Sequence, residues 1–116
     1  MCGIVGFTHK DGLPRPERIT AATATLVHRG PDQQGVYESH YCSLGATRLA
    51  ILDLAGGDQP IKANGGDSVI VFNGEIYNYV SLREELQARG QKFESTGDTA
   101  VMLRLLSLDE IGRAHV

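Results

Sequence analysis

Cys2 is preceded only by Met1 and followed by Gly3, so removal of the initiator methionine would put a thiol and a free α-amine on one residue. An unperturbed α-amine has a pKa of about 7.7–8.0, which leaves a useful unprotonated fraction near neutral pH to take the thiol proton, directly or through water. Such a residue is nucleophile and base together, and no histidine partner is required. Taken alone, the same cysteine is more simply a small buried hydrophobe at a strand start. Likewise, Arg48 alone is a surface ion-pair partner, Asn73-Gly74 a hairpin turn between strands, and Asp98 a helix N-cap. His9, His28, His40 and His115 stand far apart, and no C-x-x-C or H-x-x-x-H spacing is present, so neither a structural nor a catalytic metal is expected. Gly56-Gly57 and Gly65-Gly66 lack the Lys-Ser/Thr or the helix start of a phosphate cradle and read as flexible turns.

The elements that must position these residues follow from periodicity and turn chemistry. Residues 2–7 form a short apolar, β-prone run, which predicts that the chain start is held in a sheet. Pro16 at a first helical position, with Ile19, Thr23 and Leu26 at helical spacing, predicts a helix ending near His28, before Gly30-Pro31 turns the chain. Residues 36–38 and 41–51 read as strands joined by a tight polar connection, and residues 53–66 as a loop rich in Gly, Asp and Asn. Residues 68–72 read as a strand buried on both faces, ended by Asn73-Gly74. Leu82 and Leu86, with Asn78 as cap and Gly90 as left-handed stop, predict a second helix. Asp98 predicts a third, with Val101, Leu105 and Leu108 as its apolar stripe.

Composition bounds the whole. At 116 residues and 41% hydrophobic content, one domain can build a core without staples. Cys2 and Cys42 are therefore not expected to pair. Eleven Lys and Arg against fourteen Asp and Glu give a net charge of −3, without a basic stripe, so no nucleic-acid partner is expected. The start lacks a signal-peptide pattern and no segment approaches the roughly 20 apolar residues of a membrane span. A cytoplasmic protein with no membrane association is the expectation.

Four separated segments resemble the class II glutamine amidotransferases, the N-terminal-nucleophile (Ntn) family. They are Met1-Cys2-Gly3-Ile4-Val5-Gly6-Phe7, His28-Arg29-Gly30-Pro31-Asp32, Arg48-Leu49-Ala50-Ile51-Leu52-Asp53 and Phe72-Asn73-Gly74-Glu75-Ile76-Tyr77-Asn78. The second and third look like asparagine synthetase and its close relatives. The resemblance runs from Met1 to about Leu106. It implies an α+β fold, the four-layer αββα Ntn-hydrolase sandwich with antiparallel sheets. It also implies glutamine as substrate and Cys2 as nucleophile, with Asn73 and Gly74 donating to the oxyanion. Arg48 would bind the α-carboxylate through two parallel hydrogen bonds that lysine cannot reproduce. Glu75 and Asp98 would bind the ammonium, and Leu49 and Ile51 would line the substrate. His28, Arg29 and Asp32 are expected to shape the turn over the pocket rather than to act in chemistry. Ala100 and Gln33 stand where the family favours acidic residues, and no function is assigned to either departure.

The resemblance also implies what residues 1–116 do not contain. The Ser-Gly-Gly-x-Asp loop of a synthetase domain, where ATP and Mg would be used, does not occur in this sequence, so the chain needs no cofactor of its own. It reads as the N-terminal part of a glutaminase domain, truncated at the C-terminus, whose partner is the C-terminal synthetase domain of a parent protein. Residues 111–116 follow no family pattern. The expected consequences are that the fragment alone is inactive and that open strand edges, above all residues 69–72, drive homo-oligomers. A silent glutamine-binding module, or an amidotransferase with a different ammonia acceptor, are the alternatives.

Overall fold

The computed structural model describes residues 2–11, 14–49, 58–63, 68–93 and 97–108. Ile51, residues 53–57 and 64–67 of the expected loop with its paired glycines, and residues 111–116 lie outside them. The order of elements is β1 (Gly3–Thr8), α1 (Pro16–Ala24), a 3-10 turn (Val27–Arg29), β2 (Gln33–Glu38), β3 (Cys42–Arg48), β4 (Ile61–Lys62), β5 (Val69–Ile70), α2 (Tyr79–Ala88) and α3 (Asp98–Leu108). Two antiparallel sheets result, β1-β3-β2 and β4-β5.

In the first sheet β3 is central, and its small residues Ser43, Gly45, Ala46 and Thr47 are buried. Side chains alternate across a strand, and the register Gly3↔Thr47, Val5↔Gly45, Phe7↔Ser43 fixes one face. Onto it α1 lays Ile19 and Thr23, both buried. Leu26 follows, with its carbonyl taking the Thr47 hydroxyl at 3.0 Å, and Arg18 stacks its guanidinium over the Phe7 ring at 5.1 Å. The strand expected at the chain start is thus present.

The opposite face carries Ile4, Ala46, Leu44, Gly35 and Tyr37, and the segment around Gln59 lies on it. Here Gly35 is needed for space, since a Cβ at this position would fall onto the Gln59 carbonyl oxygen. Gly35→Ala is therefore expected to destabilise the protein by about 1–3 kcal/mol, the usual cost of overpacking against atoms that cannot move aside. Urea unfolding of the two proteins would measure it, and equal midpoints would mean that the close approach carries no weight. Lys62 of β4 continues the contact, its ammonium 5.4 Å from the Tyr37 ring.

α3 packs on β4 and β5, and α2 packs on α3, burying Leu86, Val101 and Leu103. The described residues thus form a mixed α/β fold with antiparallel sheets and helices. The second sheet is only two residues per strand and does not close a sandwich over the first. Among the described residues no helix is long and apolar enough to cross a membrane.

Several expectations need correction. α1 stops at Ala24 rather than near His28, because Thr25 and Leu26 donate to residues three back and Val27–Arg29 continues as 3-10 helix. Threonines at 20, 23 and 25 weaken the helix there. β2 begins at Gln33, three residues earlier than the apolar pattern suggested, because its pairing with Arg48 extends the ladder past the apolar residues. β5 is only Val69–Ile70, half-buried rather than enclosed, and Val71 and Phe72 leave the ladder. Asn73-Gly74 is a bend leading to α2, not a hairpin turn, since among the described residues no strand follows it.

Asn78 holds the N-cap position of α2, but its side chain makes no capping bond. Its φ of −98° and ψ of 24° lie outside the extended region from which a cap oxygen reaches the next turn. Gly90, at φ 91°, does end α2: Gln91 N–H donates to the Leu86 carbonyl and Gly90 N–H to that of Gln87, the Schellman arrangement. In α3 the buried residues are Thr99, Val101 and Leu103, whereas Leu105 is half-buried and Leu108 exposed. The helix is apolar on nearly all sides, so its neighbours chose the face.

Candidate functional site

Cys2 directly precedes β1, and the terminal pair of the β1–β3 ladder is Gly3↔Thr47. Cys2 precedes Gly3 and Arg48 follows Thr47, so the two residues flank this terminal pair at one end of the ladder. Gly3 and Thr47 face α1, so strand alternation directs Arg48 to the opposite face, where the segment around Gln59 lies. Cys2 is half-buried and its thiol is free. Cys42 pairs with Thr8 at the other end of β1, about 20 Å away at roughly 3.3 Å per residue. A disulfide between the two is therefore sterically out of reach.

Arg48 is 7% exposed. A buried guanidinium requires a partner, and Nη1 has one in Asp58 Oδ1 at 3.2 Å. The backbone of Arg48 is held by the Gly-Pro-Asp turn. Pro31 bridges to it in parallel fashion, Asp32 N–H donates to its carbonyl at 3.0 Å, and a Cβ at Gly30 would overlap its main chain. The backbone of residues 30–32 thus packs against that of Arg48. Leu49 follows Arg48, half-buried.

The second group lies between β5 and α2. Asn73, Gly74 and Glu75 are exposed, and the Phe72 ring lies so close to Gly74 that a Cβ there would stand 2.9 Å from it. Two side chains tether this bend. Asp98, the first residue of α3, accepts the Ile76 N–H on Oδ2 at 2.8 Å, and Gln59 engages the backbone of Phe72 on both sides. The capping role expected of Asp98 is replaced by this reach to the bend; its charge also suits the start of a helix. Residues Asp58 and Gln59 therefore join the two groups, the first through Arg48 and the second through Phe72.

Sequence reading missed Asp58 and Gln59, which lie in a segment read only as a loop. No local pattern distinguishes a buried loop glutamine from a solvated one. Gln33, to which no function was assigned, bonds both backbone groups of Gln59.

A second cluster has the residue types of a hydrolase triad. His9 Nε2 lies 2.9 Å from the Ser43 hydroxyl, which donates to Glu38 Oε1 at 2.8 Å. Ser43 is fully buried, and its proton is directed to the carboxylate rather than to the imidazole. A nucleophilic serine needs the reverse arrangement, so this cluster is structural. Among the described residues no group of three or more His, Cys, Asp or Glu side chains could hold a metal ion.

The whole chain, residues 1–116, matches the family model of the glutamine amidotransferase domain. It is 42% identical over 107 residues to the glutamine-hydrolysing asparagine synthetase 1 of Bacillus subtilis (strain 168), covering 89% of this chain and 17% of that protein. A glutamine-hydrolysing asparagine synthetase of Brassica oleracea is 36% identical over 107 residues, covering 90% of this chain and 18% of its own length. A putative glutamine-hydrolysing asparagine synthetase of Mycobacterium tuberculosis (strain CDC 1551 / Oshkosh) is 37% identical over 120 residues, covering 89% and 18%. The chain thus spans less than a fifth of each of these relatives. With the full-length family match and these identities, the chain belongs to the Ntn-hydrolase-type glutamine amidotransferase domains and is homologous to the N-terminal glutaminase domains of asparagine synthetases.

Proposed function

We propose that the chain hydrolyses glutamine to glutamate and ammonia, and that in its parent protein the ammonia goes to aspartate activated with ATP and Mg in a C-terminal synthetase domain. Once Met1 is removed, the α-amine of Cys2 takes the thiol proton and the thiolate attacks the amide carbon of glutamine. The tetrahedral oxygen receives hydrogen bonds from the Asn73 side-chain amide and the Gly74 N–H, donors aimed where charge develops. Return of the proton to the nitrogen expels ammonia and leaves a thioester on Cys2. Water then attacks that thioester, releases glutamate and restores the thiol. Arg48 takes the α-carboxylate, Glu75 and Asp98 take the α-ammonium, and Leu49 and Ile51 line the aliphatic part of the substrate.

The observation that supports this reading best is the terminal pair Gly3↔Thr47, which Cys2 directly precedes on one strand and Arg48 directly follows on the other. A small nucleophile and a carboxylate-binding cation then share one strand end. A cytoplasmic address belongs to the same proposal, since Cys2 must stay a reduced thiol. So do homo-oligomers, for which the nearly half-exposed Ile4 and Val36 offer apolar surface; light scattering is expected to show a dimer or larger species.

Glutamate release by the intact protein tests the activity, with the mass of the N-terminal peptide determined alongside. Processed protein is expected to release glutamate. Protein that retains Met1 is expected to bind glutamine without turnover, because its α-amine is no longer on Cys2. Processed protein that binds glutamine and releases no glutamate would establish the silent-module alternative instead.

A further inference from the structure

We propose that Gln59 is a positioning residue for the oxyanion-binding bend, acting as a one-residue substitute for a β-strand beside Phe72; the inference rests on the glutaminase reading above. Gln59 is 8% exposed. Its Nε2 donates to the Phe72 carbonyl at 2.9 Å, and its Oε1 accepts the Phe72 N–H at 2.6 Å. A primary amide offers the same donor and acceptor as a peptide group, so this pair reproduces the double bond of an antiparallel ladder residue.

The substitution is repeated one step further back. Gln33 of β2 donates from Nε2 to the Gln59 carbonyl at 3.0 Å and accepts the Gln59 N–H on Oε1 at 3.3 Å. Two glutamine side chains in series thus span from the first sheet, whose end carries Cys2 and Arg48, to the residue just before Asn73-Gly74.

A side chain has a property here that a strand lacks. A paired strand would continue its ladder beyond Phe72 and commit the next backbone groups to neighbours. An amide side chain ends after one residue. Among the described residues no hydrogen bond engages the Gly74 N–H or the Asn73 side chain, the two donors required by the substrate oxygen. Asp98 holds the far end at Ile76, so the bend is fixed on both sides and its donors stay available. The Gln59 contacts lie nearest Asn73 and Gly74, whereas Glu75 is held from the far end by Asp98 at Ile76 and Arg48 by β3, so the donors to the tetrahedral oxygen move most when Gln59 is lost.

Gln59→Met removes both bonds at nearly constant volume. In the intact protein it is expected to speed hydrogen exchange in peptides covering residues 72–74, with exchange in β1 and β3 unchanged. It is also expected to lower kcat for glutamine hydrolysis by about tenfold to 100-fold, with the KM for glutamine moved less than about threefold, as loss of an interaction made only in the transition state requires. Gln59→Glu adds a readout that packing alone would not move. Protonated, its carboxyl restores donor and acceptor; ionised, it faces the Phe72 carbonyl with no proton to give. Its kcat relative to the unsubstituted protein is therefore expected to recover as pH falls, whereas that of Gln59→Met is not. Should Gln59→Met fail to fold, Gln33→Met, which leaves the Gln59 side chain in place, is expected to show the same pattern at smaller amplitude.

Unchanged exchange at residues 72–74 would overturn the proposal, as would faster exchange with kcat unaltered or with the loss confined to KM. Unsubstituted protein that releases no glutamate would refute the glutaminase reading itself, while the exchange data would still decide whether Gln59 anchors the bend.

Discussion

Cys2→Ala is expected to lower glutamine hydrolysis by roughly three orders of magnitude or more while leaving ammonia-dependent synthesis by the parent protein largely intact. The chemical step needs a nucleophile that forms a covalent intermediate, and Cys2 is the residue proposed to supply it, so the loss follows the pattern of a removed nucleophile. Structure explains why the fold should survive. Cys2 lies outside the ladder, whose last pair is Gly3↔Thr47, and it is only half-buried. Removing its sulfur leaves the hydrogen bond of Thr47 to Leu26 and the packing of α1 untouched. Retained synthesis from free ammonia checks that the protein is intact. Substantial glutamine-dependent turnover in Cys2→Ala would remove Cys2 from its assigned role, and the buried Ser43 offers no replacement, since its proton is held by Glu38.

Arg48→Lys is expected to raise the glutamine requirement by one to two decades, whereas Asp32→Asn is expected to leave it nearly unchanged. A lysine keeps the charge but offers a compact ammonium in place of a planar fork. The lost bidentate bond should cost about 1.5–3 kcal/mol. Asp32 provides the contrast because, of the two, only Arg48 is proposed to touch the ligand, and asparagine keeps the bond of the residue 32 N–H to the Arg48 carbonyl. The ion pair of Arg48 with Asp58 makes lysine a better probe than alanine, since a cation remains near that carboxylate. The KM for glutamine, measured on both variants, decides the matter. Equal values for Arg48→Lys and the unsubstituted protein would show that the α-carboxylate is bound elsewhere.

The amino-acid sequence by itself determined the three helices, the strand that follows Cys2, the stop at Gly90, and the residue types that carry the proposed chemistry, but it missed β4, which lies in the segment read as a loop. These features rest on local causes. A strand start, a left-handed glycine or a thiol beside its own α-amine is specified within a few neighbouring residues. Tertiary structure alone decided what those residues meet. It made Asn73-Gly74 a bend rather than a hairpin, and selected Leu103 over Leu108 on a helix apolar nearly all round. It also turned Asp98 from a cap into a tether for Ile76, 22 residues away, and buried Gln59 between Gln33, 26 residues before it, and Phe72, 13 residues after it. Partners so distant leave no trace in local periodicity, because a hydrogen bond depends on where two groups lie in space rather than on their spacing along the chain.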